Sequence, residues 1–372
     1  MTFVIITHVP HLMEGNRFFA YGPYVREMNI WSKQVNKLIV VAPKSTIVKS
    51  AIDGAYEHPN IEFIAVENFD ILSLKSVFRA VFKTPKIAWK IVQAMKKADH
   101  IHLRCPGNIG LLGCLVQIVF PNKPKTAKYA GNWDPKFKQP LTYQLQKWIL
   151  SNTFLTKNMQ VLVYGEWQGS TKNIKSFFTA SYYEAEKTPI LNKEVTTRID
   201  FIFVGTLVLG KNPLYAIQLV EVLSKKGYEV HLDLYGEGIE RAILEKYISA
   251  HRLEKIVSLK GNQTSETIKS AYQKSHFVVL PSDSEGWPKV VAEGMFWGCI
   301  PLATPVSCVP FMLDYGKRGL LLQMDIEMDL KQILTYISNK EKYTSTAISA
   351  QKWSQHYTLN LFEQEINKLM TN

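Results

Sequence analysis

Two glutamates, Glu285 and Glu293, stand eight positions apart in the run Ser284-Glu285-Gly286-Trp287-Pro288-Lys289-Val290-Val291-Ala292-Glu293. The run follows an apolar stretch, residues 276–280, that reads as a strand, and Pro288 suits the first position of a helix. Glu285 then lies in a loop at a strand's carboxyl end. Glu293 lies about a turn and a half into the helix, so both carboxylates can face one cleft. The amides from Gly286 to Lys289 form the amino end of that helix, where unpaired N–H groups take up phosphate or sugar oxygens. Such carboxylates can hold sugar hydroxyls. They can equally be the pair of a retaining glycosidase, which needs roughly 5 to 5.5 Å between them, or two solvated surface charges.

The elements that must position them alternate short apolar runs with longer amphipathic ones throughout, the pattern of repeated βα units and a mostly parallel sheet. In the first half the spacing predicts strands at 2–7, 38–42, 61–66, 101–103, 126–130 and 160–164, with helices at 21–34, 72–97 and 141–152. In the second half it predicts strands at 200–204, 230–235, 257–260, 277–280 and 300–303, with helices at 213–225, 239–250, 265–274 and 288–297. The segment 186–193 contains Pro189 and breaks both periods, which makes it the linker candidate. The fold class is therefore α/β twice over, with two sheets whose carboxyl ends collect ligands. The expected domains are residues 1–187 and 188–358, and residues 359–372 form a helix that packs back on the N-terminal domain.

Around the glutamates, other loops fall in a telling order. Phe203-Val204-Gly205-Thr206-Leu207 precedes Lys211-Asn212-Pro213, Leu234-Tyr235-Gly236-Glu237-Gly238 follows, and Leu259-Lys260-Gly261-Asn262-Gln263 comes before the E-x7-E pair. Across roughly 200–322 this resembles family 4 glycosyltransferases, retaining enzymes of the GT-B fold with two Rossmann-like domains facing each other across a cleft. The resemblance implies a nucleotide-sugar donor as co-substrate, a glycan or lipid-linked acceptor, no other cofactor and no metal. It implies that Glu285 bonds the donor sugar and that Glu293 bonds the ribose. Lys211 and the backbone of Gly286, Trp287, Pro288, Lys289 and Val290 would hold the diphosphate, with Gly205, Thr206, Gly236, Gly261 and Asn262 completing the donor site. Two positions depart from the family: Thr206 stands where an arginine is usual, and Val306-Ser307-Cys308 where a pair of glycines is common. Thr206 keeps a different reading open, a non-catalytic module that binds a sugar nucleotide or glycolipid. A glycosidase would leave the phosphate-type loops unexplained.

On the acceptor side, the segment 7–17 reads as one loop at a strand's carboxyl end. It brings His8, His11 and Gly15 toward an acceptor, although a histidine bonded within the loop fits equally well. Arg104 and Asn132 follow other short strands and join them, and Asp134 is the candidate base, against its reading as a turn residue.

Charge separates the halves. Residues 1–187 carry 24 Lys and Arg against 12 Asp and Glu, whereas residues 188–372 carry 20 against 20. Lys75, Arg79, Lys83, Lys86 and Lys90 fall on one helical stripe, interleaved with apolar residues, although Pro85 divides or kinks that helix. A basic, apolar stripe suits the anionic surface of a membrane. Nucleic acid is disfavoured, since no recognition-helix, zinc-finger or RNP-like motif is present. The longest apolar stretch, 109–120, is too short to span a bilayer, and the N-terminus reads as a strand and not as a leader, so a cytoplasmic protein at the inner membrane face is expected. Four cysteines without zinc spacing are expected to be reduced and buried. Neither a third glycine after Gly238 nor a P-loop motif is present, which excludes NAD and P-loop chemistry.

Overall fold

The computed structural model describes residues 1–371 apart from 51, 70–73, 190–192 and 194–197, and omits the side chains of 74–81. The chain divides into two compact units, Met1–Phe178 with Phe362–Asn372, and Thr179–Leu361. The division after Phe178 lies upstream of the linker candidate 186–193, of which 190–192 are outside the described residues.

The first unit carries strands β1 (Thr2–Ile6), β2 (Leu12–Glu14), β3 (Arg17–Tyr21), β4 (Lys37–Pro43), β5 (Asp53–Ala55), β6 (Ile61–Val66), β7 (His100–Cys105), β8 (Lys125–Tyr129), β9 (Met159–Tyr164) and β10 (Ile174–Phe177). Its helices are α1 (Gly22–Ser32), α2 (Leu74–Lys97), α3 (Asn108–Val116) and α4 (Leu141–Ser151). Seven strands form a parallel sheet in the order β10-β9-β8-β7-β1-β4-β6. Its central strands are nearly continuous apolar runs, such as Phe3-Val4-Ile5-Ile6, because helices cover both faces of a parallel sheet.

Two expectations change here. The segment 7–17 is not one loop, since β2 and β3 form a hairpin that pairs antiparallel with β5. Helix α2 is not divided at Pro85 but runs through it as one helix. A proline removes one backbone bond, and the burial of Ile87, Ile91, Ala94 and Met95 against the sheet outweighs that loss.

The second unit carries β11 (Ile199–Val204), β12 (Val230–Tyr235), β13 (Val257–Gly261), β14 (Phe277–Leu280), β15 (Ile300–Ala303) and β16 (Leu320–Leu321). Its helices are α5 (Pro213–Lys225), α6 (Arg241–Ala250), α7 (Ser265–Lys274), α8 (Lys289–Phe296), α9 (Val309–Met312), α10 (Ile326–Ile337) and α11 (Lys340–Ser354). The parallel sheet runs β13-β12-β11-β14-β15-β16. Along β11 the alternation is two-sided: Ile199, Phe201 and Phe203 enter one core, while Ile202 enters another on the opposite face. In the last helix, α12 (Leu359–Thr371), Phe362 meets Phe177 edge-on at 5.5 Å and Glu365 pairs with Lys175 at 2.9 Å, all within the first unit.

Counted along their own sheets, both units share the order 3-2-1-4-5-6, with a seventh strand added in the first. The order reverses at β1/β7 and at β11/β14, the switch points where neighbouring strand ends diverge and leave a crevice. Among the described residues no helix is long and apolar enough to cross a membrane.

Candidate active site

The switch point of the second unit is built from two loops, one after β11 and one after β14. After β11 the chain passes Gly205 and the exposed Thr206, makes a tight turn at Leu209–Lys211, and enters α5 through Asn212 in the left-handed conformation. The Asn212 side chain donates to Pro281 O at 2.9 Å and to Asp283 Oδ1 at 2.7 Å, and Asp283 N donates to Gly210 O at 2.9 Å. These bonds lock the two loops together. Lys211 Nζ thereby reaches Glu285 Oε1 and forms an ion pair, with the lysine side chain 28% exposed and the glutamate 10%. Among the described residues no other cation pairs with Glu285, so Thr206 leaves Lys211 as its single partner.

The loops after β12 and β13 close against the first. Gly236 N donates to Gly261 O at 2.9 Å and Gly205 N to Tyr235 O at 2.9 Å. Gly236 has φ +136°, and a Cβ there would stand 1.9 Å from Gly205 O, so the crossing admits only glycine. Asn262, just beyond Gly261, is exposed.

Glu293 lies on α8, partly buried. Its Oε1 accepts from Ser181 Oγ at 2.5 Å and its Oε2 from the Tyr272 hydroxyl at 3.4 Å. Burial, and then the Glu293 carboxylate, push the Tyr272 phenol well above its ordinary value, so it stays a neutral donor.

The amino end of α8 differs in detail from the expected row of amides. Pro288 has no N–H, and Lys289 N donates to Trp287 O at 2.8 Å. At this end the amides of Gly286 and Val290 stand toward an anion. The carbonyl of Gly286 is fixed from behind by Ser307 Oγ at 3.0 Å and Cys308 Sγ at 3.3 Å. Ser307 is left-handed, with φ +50°, so the non-glycine segment 306–308 still adopts the conformation glycine would favour. Trp287 is buried and stacks on Trp353 at 6.2 Å. Sequence reading missed Ser181, Tyr272, Asn212 and Ser307; only Asn212, directly before Pro213, carried a local signal, that of a helix start.

In the first unit the candidates scatter. His8 is at the switch point, its ring against Gly107, where a Cβ would meet the ring at 2.8 Å. It keeps an exposed edge, yet desolvation and then the Arg104 guanidinium hold it below the ordinary imidazole value. His11 is a core residue: Nδ1 bonds to Val9 O and Nε2 to the Tyr56 hydroxyl, both at 2.8 Å, and burial brings it down to about 4. Gly15 lies at the exposed turn of the β2–β3 hairpin, with φ +58°.

Arg104 is buried and its guanidinium is bound to Glu27 Oε1 at 2.8 Å, which Lys128 also reaches at 2.7 Å. Asn132 is buried and accepts from Asp134 N at 2.9 Å, while Asp134 Oδ1 accepts from Lys136 N at 2.8 Å. Arg104 is thus a buried strut and Asp134 a turn residue. Beside that turn opens a cavity of about 470 Å³ bordered by Trp133, Lys136, Lys147 and Trp167. The four cysteines are buried and free. Among the described residues no group of three or more His, Cys, Asp or Glu stands together as a metal site.

Residues 185–353 match the family model of glycosyl transferases group 1. The chain is 28% identical over 158 residues to an uncharacterized glycosyltransferase of Methanocaldococcus jannaschii, a match that covers 42% of this chain and 43% of that relative. The chain thus spans less than half the length of that curated relative. Protein CapJ of Staphylococcus aureus is 20% identical over 357 residues, covering 92% of this chain and 89% of that one. Among solved structures, Anabaena Alr3699/HepE in complex with UDP and glucose superposes with a TM-score of 0.73 at 15% identity, covering 100% of both chains. The fold is GT-B, two Rossmann-like α/β units in one chain.

Proposed function

We propose that the protein is a glycosyltransferase that moves a sugar from a nucleotide-sugar donor to a glycan or lipid-linked acceptor, with retention of anomeric configuration and without a metal. The observation that carries this reading is the Lys211–Glu285 pair at the switch point of a unit that matches glycosyl transferases group 1. The ammonium and the carboxylate satisfy each other. On donor entry Lys211 turns to the diphosphate, joined by the amides of Gly286 and Val290, and Glu285 turns to the sugar hydroxyls. Glu293 takes the ribose hydroxyls while Ser181 and Tyr272 hold it in place.

As the bond between the anomeric carbon and the diphosphate oxygen breaks, negative charge grows on that oxygen, where Lys211 and the amides stabilise it. The acceptor hydroxyl forms the new glycosidic bond on the same face, and its proton passes to the departing phosphate oxygen. A side-chain base is not required, which agrees with Asp134 serving a turn.

The excess positive charge of the first half supports contact with an anionic membrane surface, where lipid-linked acceptors would be met. Relatives that include a poly(glycerol-phosphate) alpha-glucosyltransferase of Bacillus subtilis and a putative colanic acid biosynthesis glycosyltransferase of Escherichia coli support a place in surface polysaccharide or glycoconjugate synthesis. The non-catalytic alternative is less favoured. The test is donor hydrolysis without acceptor across UDP-, GDP- and ADP-sugars. Release of one nucleotide by the wild type, lost in Glu285→Ala and Glu293→Ala, supports the transferase. Nucleotide binding with no hydrolysis or transfer from any donor would leave only the binding module.

A further inference from the structure

Away from the switch point, the first unit holds a second cavity of about 480 Å³, lined by Lys44, Glu67, Asn68, Lys83, Lys86 and Lys90 among others. Lys44 follows β4 directly and Glu67 and Asn68 follow β6, so the cavity opens at the carboxyl edge of the sheet, the edge that also carries His8. The other three lysines come from the flank of α2. Four ammonium groups thus meet one carboxylate.

Glu67 pairs with Lys83 at 2.9 Å, and Lys90 Nζ donates to Ala65 O at 2.6 Å. Lys44 and Lys86 are exposed and have no ion-pair partner among the described residues. Contact with Lys83, and then the charges of Lys86 and Lys90, hold the Glu67 carboxyl below its ordinary range, as one anion among several cations should be. Like charges gathered around a cavity repel until an anion enters, and lysine ammonium groups suit phosphate oxygens as point charges. Next to them Phe82 and Trp89, seven residues apart on the same face of α2, are 69% and 62% exposed. Exposed aromatic residues beside lysines are suited to the headgroup level of a lipid surface.

We propose that this cavity binds the phosphate or diphosphate group of the acceptor. The word acceptor rests on the glycosyl-transfer reading; the anion site itself does not.

The test is a calorimetric titration of the full chain with inorganic pyrophosphate at physiological ionic strength, in a Lys211→Gln background that disables diphosphate binding in the second unit. Adding Lys44→Gln and Lys86→Gln together should weaken binding about tenfold or more. Both side chains are exposed, so the melting temperature should stay unchanged. Equal binding with and without these two substitutions overturns the proposal.

Flotation with zwitterionic vesicles carrying a few per cent of a lipid diphosphate separates the sources. A loss on Phe82→Ser with Trp89→Ser, confined to the vesicle arm, supports a lipid-borne phosphate. No flotation of the wild type, together with retained pyrophosphate binding, supports the phosphate of a water-soluble chain. UDP binding and donor hydrolysis read the second unit separately. Their failure in the wild type, with pyrophosphate still bound at the lysines, overturns the transferase and leaves the cavity assigned.

Discussion

Both units place an ion pair beside the same topological feature and use it in opposite ways. In the second unit Lys211 and Glu285 come from loops beyond the strand ends, where solvent and ligands reach them. In the first, Arg104 and Lys128 lie within β7 and β8 and meet Glu27 of α1, with side-chain exposures of 10%, 1% and 3%. A charge carried inside a strand is enclosed by the layers and becomes structural, whereas one carried a few residues further on remains available for chemistry.

The largest expected effect comes from breaking the buried cluster. Burial pushes the Glu27 carboxyl up, but Arg104 and Lys128 outweigh it and hold Glu27 well below the ordinary range. Glu27→Gln leaves two buried cations without their counter-charge, and urea denaturation should show a loss of about 3 to 5 kcal/mol. The depressed value also fixes the sign with pH. Glu27 contributes stability that is fully present above its ordinary value of 4.5 and is lost as pH falls toward the folded value. The wild-type denaturation midpoint should therefore fall on acidification through that range, and the Glu27→Gln curve should be flatter.

The half-buried pair at the loop ends should respond the other way, in rate and not in stability. Lys211→Ala removes the cation at the leaving group and should lower kcat about 100- to 1,000-fold, with the melting temperature nearly unchanged. A large loss of stability with normal turnover would make Lys211 a strut like Arg104 and erase the contrast. Glu293→Gln should be milder. The amide still accepts hydrogen bonds but loses the charge that strengthens them, so nucleotide affinity should fall about tenfold with kcat little changed.

The same contrast explains what the sequence revealed. The strands of the second unit are short apolar runs between glycine loops, and the ranges read at 230–235, 277–280 and 300–303 coincide with β12, β14 and β15. The order of loops around Lys211 and Glu285 was legible because each is tied to the end of such a strand. The partners of Glu293 were not, since Ser181 and Tyr272 reach it from 112 and 21 residues away in the chain. Burial of Arg104 was illegible for the same reason, as Glu27 is 77 residues distant. The β2–β3 hairpin was overlooked although its signal was local: Gly15-Asn16 between two short apolar runs is a two-residue hairpin turn. Helix α11 went unread because it is largely polar and buries alanine, threonine and glutamine, which weakens any apolar period.

The smallest expected effect is the sharpest test of the acceptor side. Asp134 takes the Lys136 amide at 2.8 Å in a turn fixed by Asn132, and an asparagine side chain can accept that bond equally well. Asp134→Asn should therefore leave stability within about 0.5 kcal/mol and kcat within roughly twofold. A general base would show a fall of about 100- to 10,000-fold. That outcome would mean the turn opens when the acceptor binds, and it would place catalytic charge on both units.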